Sequence, residues 1–221
     1  MQPTHDTQAA LAPLYVETRT MVPAGDSYLP SMFLGGRKVS VNPPQWPAKG
    51  WGGYLVAVID RQQFDADGVR LCRAYNVETG DASGYTKVFT TMLDDLRSGD
   101  FINTRYVLVL ATCGILNAFP PPPEFLGLLW DAGAGPKLKH WLDSARCIGT
   151  ACISADVNYI FAGVMKSHHP YNPPGGHETL GLYPFPSTGR VPHTDVLDAH
   201  TRIQDAGDPS VLVPAESQAG A

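Results

Sequence analysis

The sequence predicts an α/β (α+β) domain, a mixed, sandwich-like β-sheet packed by two or three helices, with a Pro-rich N-terminal arm and a C-terminal tail. Three observations carry this. Tyr54–Asp60 and Tyr106–Thr112 are unbroken apolar runs of strand length, the pattern of strands buried on both faces. Between them Val88, Phe89, Met92, Leu93 and Leu96 recur at the spacing of one helical stripe. The 22 glycines and 20 prolines among 221 residues exceed average usage and place many residues in turns, loops and tails. The chain divides into an arm at 1–32, a globular domain at 33–166, a His/Pro/Gly-rich loop at 167–192 and a tail at 193–221.

In the arm and just beyond it, prolines surround short apolar pieces (Leu14–Val16, Met32–Leu34, Val39–Val41) that suit edge strands, with Gly35-Gly36 as a hairpin turn. Tyr54–Asp60 reads as a central strand, and the alternating run Val69–Val77 pairs with it as a hairpin. The helix through Met92 and Leu96 takes Asp81 or Ser83 as its cap and Gly99 as its terminator. Following a helix, Tyr106–Thr112 is placed parallel to an earlier strand through a crossover. A short helix is expected from Glu124 to Trp130 and another beginning at Pro136, with Cys147-Ile148-Gly149 starting a strand and Tyr159–Met165 forming the last clear one. From Lys166 to Pro186 the sequence reads as a loop, and beyond Pro192 as a weak helix at most. Apolar residues in both terminal segments, Leu11, Leu14, Tyr15 and Val16 in one and Val196, Leu197, Val211, Leu212 and Val213 in the other, require a surface to bury them, so at least one arm is expected to dock on its own domain or on a neighbouring chain.

Sixteen basic against 21 acidic residues, a net charge of −5, leave no footprint for nucleic acid or an anionic membrane. The N-terminus lacks the basic and apolar regions of a secretory signal, and no run approaches the ~18 apolar residues of a membrane span, so a soluble, cytoplasmic or particle-associated chain is expected. Cys72, Cys113, Cys147 and Cys152 show no zinc spacing and read as packing thiols, with a Cys147–Cys152 bridge open if the chain reverses between them.

No nucleophile elbow, phosphate loop or Cys/His pair of catalytic spacing is present, and no cofactor is expected. Gly133-Ala134-Gly135 precedes a helix but is followed by Pro136 instead of a dinucleotide fingerprint. His168, His169, His177 and Glu178 form a cluster whose choices are a metal or general-base site, a solvated loop, or an interface; no metal is expected there. Trp46, Trp51 and Tyr54, interleaved with glycines, offer ring faces on which a sugar stacks, or else plug the open end of the sheet.

The order hairpin, helix, strand, helix, strand resembles the interleukin-like EMT inducer or PANDER-like (GG) domain family over roughly 33–166. The resemblance is carried by Tyr54–Asp60, Arg73-Ala74-Tyr75-Asn76, Met92, Leu93, Leu96 and Gly99, Val107–Thr112, Cys147-Ile148-Gly149 and Tyr159-Ile160-Phe161-Ala162-Gly163. Asn76 stands where the family has Asp, and Cys113-Gly114 where it has an acidic residue. The resemblance implies a non-catalytic module that recognises a carbohydrate or a protein partner. Candidate ligand-binding residues are then Trp46, Trp51, Tyr54, Tyr75, Asn76, His168, His169, His177 and Glu178. The alternatives are a structural component of a phage or secretion assembly, homo-oligomeric or larger, and a hydrolase using His168, His169 and His177.

Overall fold

The structure, a computed structural model, describes residues 14–19, 30–43, 52–76, 82–114, 121–148, 155–166, 176–184, 194–199, 201–203 and 212–214. Its strands are β1 (Leu14–Arg19), β2 (Ser31–Leu34), β3 (Arg37–Lys38), β4 (Gly52–Asp60), β5 (Val69–Asn76), β6 (Tyr106–Gly114), β7 (Ala155–Val164), β8 (His177–Pro184), β9 (Thr194–Ala199), β10 (Thr201–Ile203) and β11 (Leu212–Pro214). Its helices are α1 (Ala82–Ser98), α2 (Pro123–Asp131) and α3 (Pro136–Ile148).

A five-stranded sheet, β5-β4-β6-β7-β8, is sandwiched between the three helices and a four-stranded sheet, β3-β2-β1-β9; β10 and β11 pair separately. Strand alternation divides the central sheet into two faces. Tyr54, Val56, Val58, Leu108, Leu110, Tyr159 and Phe161 face α1, α2 and α3. Leu55, Ala57, Ile59, Val107, Val109, Ala111, Ile160, Ala162 and Val164 face Leu14, Val16, Met32 and Leu34 of the second sheet. With both faces covered, polar residues have no place along β4 and β6, which is why these runs are continuously apolar. The α+β class and the sandwich packing are those the sequence predicts.

The β4–β5 hairpin and the Gly35-Gly36 turn form as expected, both glycines having positive φ, 60° and 75°. Strand β6 runs in the same direction as β5, but β4 lies between the two and β6 pairs antiparallel with both its neighbours, β4 and β7, so the expected parallel pairing is not made. Helix α1 covers the sheet with Val88, Phe89, Met92, Leu93 and Leu96 buried, the predicted stripe. Ser83 lies inside the helix, not at its cap. The left-handed residue that ends it is Asp100 (φ 52°), and the Phe101 N–H closes on the Leu96 carbonyl at 3.0 Å. Gly99 is required for space instead, since a Cβ there would meet the Phe101 ring.

Four expectations are corrected. Cys147 and Ile148 belong to α3 and start no strand, because the helix that begins at Pro136 runs on to Ile148. Val39–Val41 is not a strand; β3 is Arg37–Lys38. The 167–192 segment contains β8, which pairs antiparallel with β7 from Ala155↔Pro184 to Ala162↔His177. Beyond Pro192 the described elements are strands, and β9 pairs with β1 along its whole length, Leu14↔Ala199 to Arg19↔Thr194. The N-terminal arm therefore closes on its own domain, joined to a C-terminal strand. The other cap candidate, Asp81, together with Cys152 and Gly149, lies outside the described residues.

Candidate functional site

Antiparallel register aligns one polar-tipped row across four adjacent strands on the helix-bearing face. Tyr75 of β5 stands opposite Tyr54 of β4, Tyr54 opposite Thr112 of β6, and the Tyr159 N–H of β7 donates to Thr112 Oγ1 at 2.9 Å. The helices roof this row with Tyr85 and Phe89 of α1, Phe125 of α2 and Trp141 of α3. Trp141 lies flat on Tyr159, ring centroids 5.0 Å apart and planes 8° apart, and meets Tyr54 edge-on at 6.5 Å. Tyr54 also packs on Phe89 at 5.0 Å, and Phe89 on Phe125 at 4.9 Å.

The three phenols differ in their partners. Tyr75 donates to Asp95 Oδ2 of α1 at 2.6 Å, and Arg73 reaches the same oxygen at 2.6 Å while its guanidinium lies 5.1 Å above the Tyr75 ring. Burial, with the Asp95 carboxylate second, pushes the Tyr75 hydroxyl far above its ordinary pKa. Tyr159 donates to Glu178 Oε1 at 2.7 Å. Its pKa too is raised, by burial first and then by that carboxylate. Tyr54 is 0% exposed, and among the described residues its hydroxyl has no hydrogen-bond partner; nor has the Trp141 indole N–H, on a side chain 2% exposed. Burial raises the Tyr54 pKa as well, with Tyr85 adding to the effect. An unmade buried hydrogen bond costs about 1–3 kcal/mol, so these two groups hold unused capacity for a polar guest or water.

Glu178 is a structural ligand. Its carboxylate accepts from the Lys137 and Leu138 N–H groups at 3.2 and 3.0 Å, and the Lys137 ammonium donates to the Glu178 carbonyl at 2.6 Å. A carboxylate on the first turn of α3 satisfies otherwise orphaned donors and complements the positive end of the helix. The Gly133-Ala134-Gly135 turn thus leads into a helix N-terminus filled by the chain's own Glu178. The glycine-lined approach is steric: a Cβ on Gly163 would collide with the Ala132 carbonyl, and Gly176 donates to Gly133 O at 3.0 Å.

Of the sequence candidates, the structure unites Tyr54 and Tyr75 in one row and sets Glu178 at its far side, bonded to Tyr159. Asn76, half-buried, follows Tyr75 and by alternation points to the opposite face, where neither its carbonyl nor its amide nitrogen has a partner among the described residues. His177 opens β8 opposite Ala162, likewise on the face of the second sheet. Trp46, Trp51, His168 and His169 lie outside the described residues. Among the described residues no three of His, Cys, Asp and Glu gather as metal ligands, and no helix is long and apolar enough to cross a membrane. Sequence reasoning missed Thr112, Trp141 and Tyr159 as members of the site. The available signal was a tyrosine at one end of each of the runs that became β4, β5 and β7.

The chain matches no family model, no curated protein and no solved structure.

Proposed function

We propose that this chain is a non-catalytic binding module, PANDER-like in its order of elements, that recognises a carbohydrate through the aromatic end of its central sheet. The observation that carries the reading is the stacked aromatic layer of Tyr54, Trp141 and Tyr159, whose two buried donors without a partner among the described residues, Tyr54 Oη and Trp141 Nε1, are reached by a ligand where the helix roof opens. Sugar recognition needs hydroxyl partners beside ring faces. Trp46 and Trp51 immediately precede β4 in the chain and supply further ring faces. The commitment of Asp95 and Glu178 to structural bonds supports a binding role over acid–base work at this end. Pairing of β1 with β9 within one chain supports a self-contained module over an assembly component whose arms pack on neighbours.

Tryptophan fluorescence during titration with a panel of neutral and acidic oligosaccharides tests this. Saturable binding that falls at least tenfold in Trp46→Ala/Trp51→Ala is expected. Failure of every glycan, with a protein captured reproducibly and released by the same double variant, would transfer the site to a protein partner. Failure of both sinks the reading.

A further inference from the structure

The opposite end of the central sheet carries a group of cations. Backbone bonds and a shared carboxylate bring them together where the strands end. Asp60 of β4 pairs with Tyr106 of β6, and the next residue, Arg61, donates its N–H to the Arg105 carbonyl at 3.0 Å. Val107 pairs with Val164, and Met165 donates to Tyr106 O at 2.9 Å, so Lys166, the next residue, leaves β7 at the edge where Arg105 enters β6. Arg70 of β5 reaches the same corner, since its Nη2 and that of Arg105 both lie on Asp60 Oδ2, at 3.1 and 2.6 Å. Arg70 in β5, Arg61 just past β4, Arg105 just before β6 and Lys166 just past β7 therefore gather at one edge of the central sheet.

The group is held rigid and left open. Asp60 is 1% exposed and acts from beneath, while the side chains of Arg70 and Arg105 are 37% and 51% exposed. Arg61 Nη1 donates to the Thr104 carbonyl at 2.9 Å. Lys166 is exposed, on a left-handed residue with φ 53°, and no ion pair engages it among the described residues. The nearby acids are partly accounted for: the Asp65 carboxylate accepts the Asp67 and Gly68 N–H groups, Asp67 faces Arg37 at 3.4 Å, and Asp100 stands exposed in the turn before β6. Beside the group lie the exposed carboxamides of Gln62 and Gln63, the latter accepting from Arg70 at 3.4 Å and keeping its NH₂ donors.

We infer that this group is an anion-binding site for a linear acidic carbohydrate, its guanidinium and ammonium groups meeting carboxylates or sulfates and its carboxamides meeting hydroxyls. The choice of glycan rests on the binding-module reading above; the site itself does not. A group of four cations on a chain of net charge −5 suits a polymer of sparse charge better than a nucleic acid, whose dense charge calls for a broad positive field.

The test is calorimetric titration of the full chain with a hexameric oligogalacturonate, a neutral hexasaccharide and duplex DNA, in wild type, Lys166→Asn and Arg105→Gln. Asn tolerates the left-handed backbone at 166, and Lys166 takes no part in the Asp60 ion pairs, so that variant keeps its fold if Arg105→Gln does not. The expected result is oligogalacturonate binding that weakens with salt and loses about three- to tenfold in Lys166→Asn, as for one charged contact. Unchanged affinity in Lys166→Asn, or no binding of the acidic sugar, overturns the site. Equal or tighter binding of DNA overturns the glycan assignment. If only the neutral sugar binds, or if acidic-sugar binding is abolished by Trp46→Ala/Trp51→Ala and untouched by Lys166→Asn, this inference falls while the binding-module reading stands.

Discussion

The two ends of β4 solve the problem of burying polar groups in opposite ways. At Asp60 a carboxylate, 1% exposed, receives Arg105 Nε and Nη2 and Arg70 Nη2 on one oxygen and the Gln62 N–H on the other. Six residues earlier, Tyr54 buries a phenol with nothing among the described residues bonded to it. The difference lies in cost. A buried charge is several kcal/mol too expensive to leave alone, whereas a buried hydroxyl costs about 1–3 kcal/mol, a sum a well-packed core absorbs. The charged end is consequently saturated below and open above, and the aromatic end is sealed by packing with hydrogen-bonding capacity to spare.

The largest effect expected at the aromatic end is from Phe89→Ala. It removes the ring between Tyr54 and Phe125 and should lower stability by about 3–5 kcal/mol in denaturant melts. A loss below about 1 kcal/mol would show that the helix roof is not packed as described.

At the charged end, Asp60→Asn should cost about 1–2 kcal/mol near neutral pH, a figure reduced for the half-exposed arginines. The Arg105 guanidinium is the main cause that lowers the Asp60 pKa to about 2, helped by the Gln62 N–H and Arg70 against the opposing effect of burial. Because the folded value lies below the unfolded one, this stabilisation is complete above about pH 4 and disappears as pH falls toward 2. Melts of wild type and Asp60→Asn should therefore converge on acidification; parallel pH profiles would break the ion-pair account.

The finest test compares phenols. Tyr159→Phe should destabilise by about 1–2 kcal/mol, since it strips a donor from Glu178. Tyr54→Phe should be neutral or stabilising by up to about 1 kcal/mol, because it deletes a group that lacks a partner. Equal losses in the two variants would mean that Tyr54 Oη is bonded in solution. A ligand that takes up this hydroxyl should bind Tyr54→Phe more weakly while leaving its unliganded stability intact.

The sequence by itself determined the local elements: the two apolar runs, the α1 stripe, the hairpin around 61–68, the Pro-started α3, and Tyr54 and Tyr75 as notable residues. Each of these depends on periodicity or on turn chemistry within a few neighbouring positions, which physics writes directly into residue order. Tertiary structure alone decided that β4 inserts between β5 and β6, that a His/Pro/Gly-rich stretch supplies the strand β8, and that β9 closes on β1. Strand pairing is made by partners distant in sequence, and short polar or Pro-flanked strands such as His177–Pro184 carry little local signature of it. The same reason governs the sites. Glu178 was visible as a carboxylate, but only the approach of α3 turned it into a helix cap. The row Tyr75-Tyr54-Thr112-Tyr159 is a property of register, and the gathering of Arg70, Arg61, Arg105 and Lys166 is a property of where the paired strands end; both exist only once the strands have met.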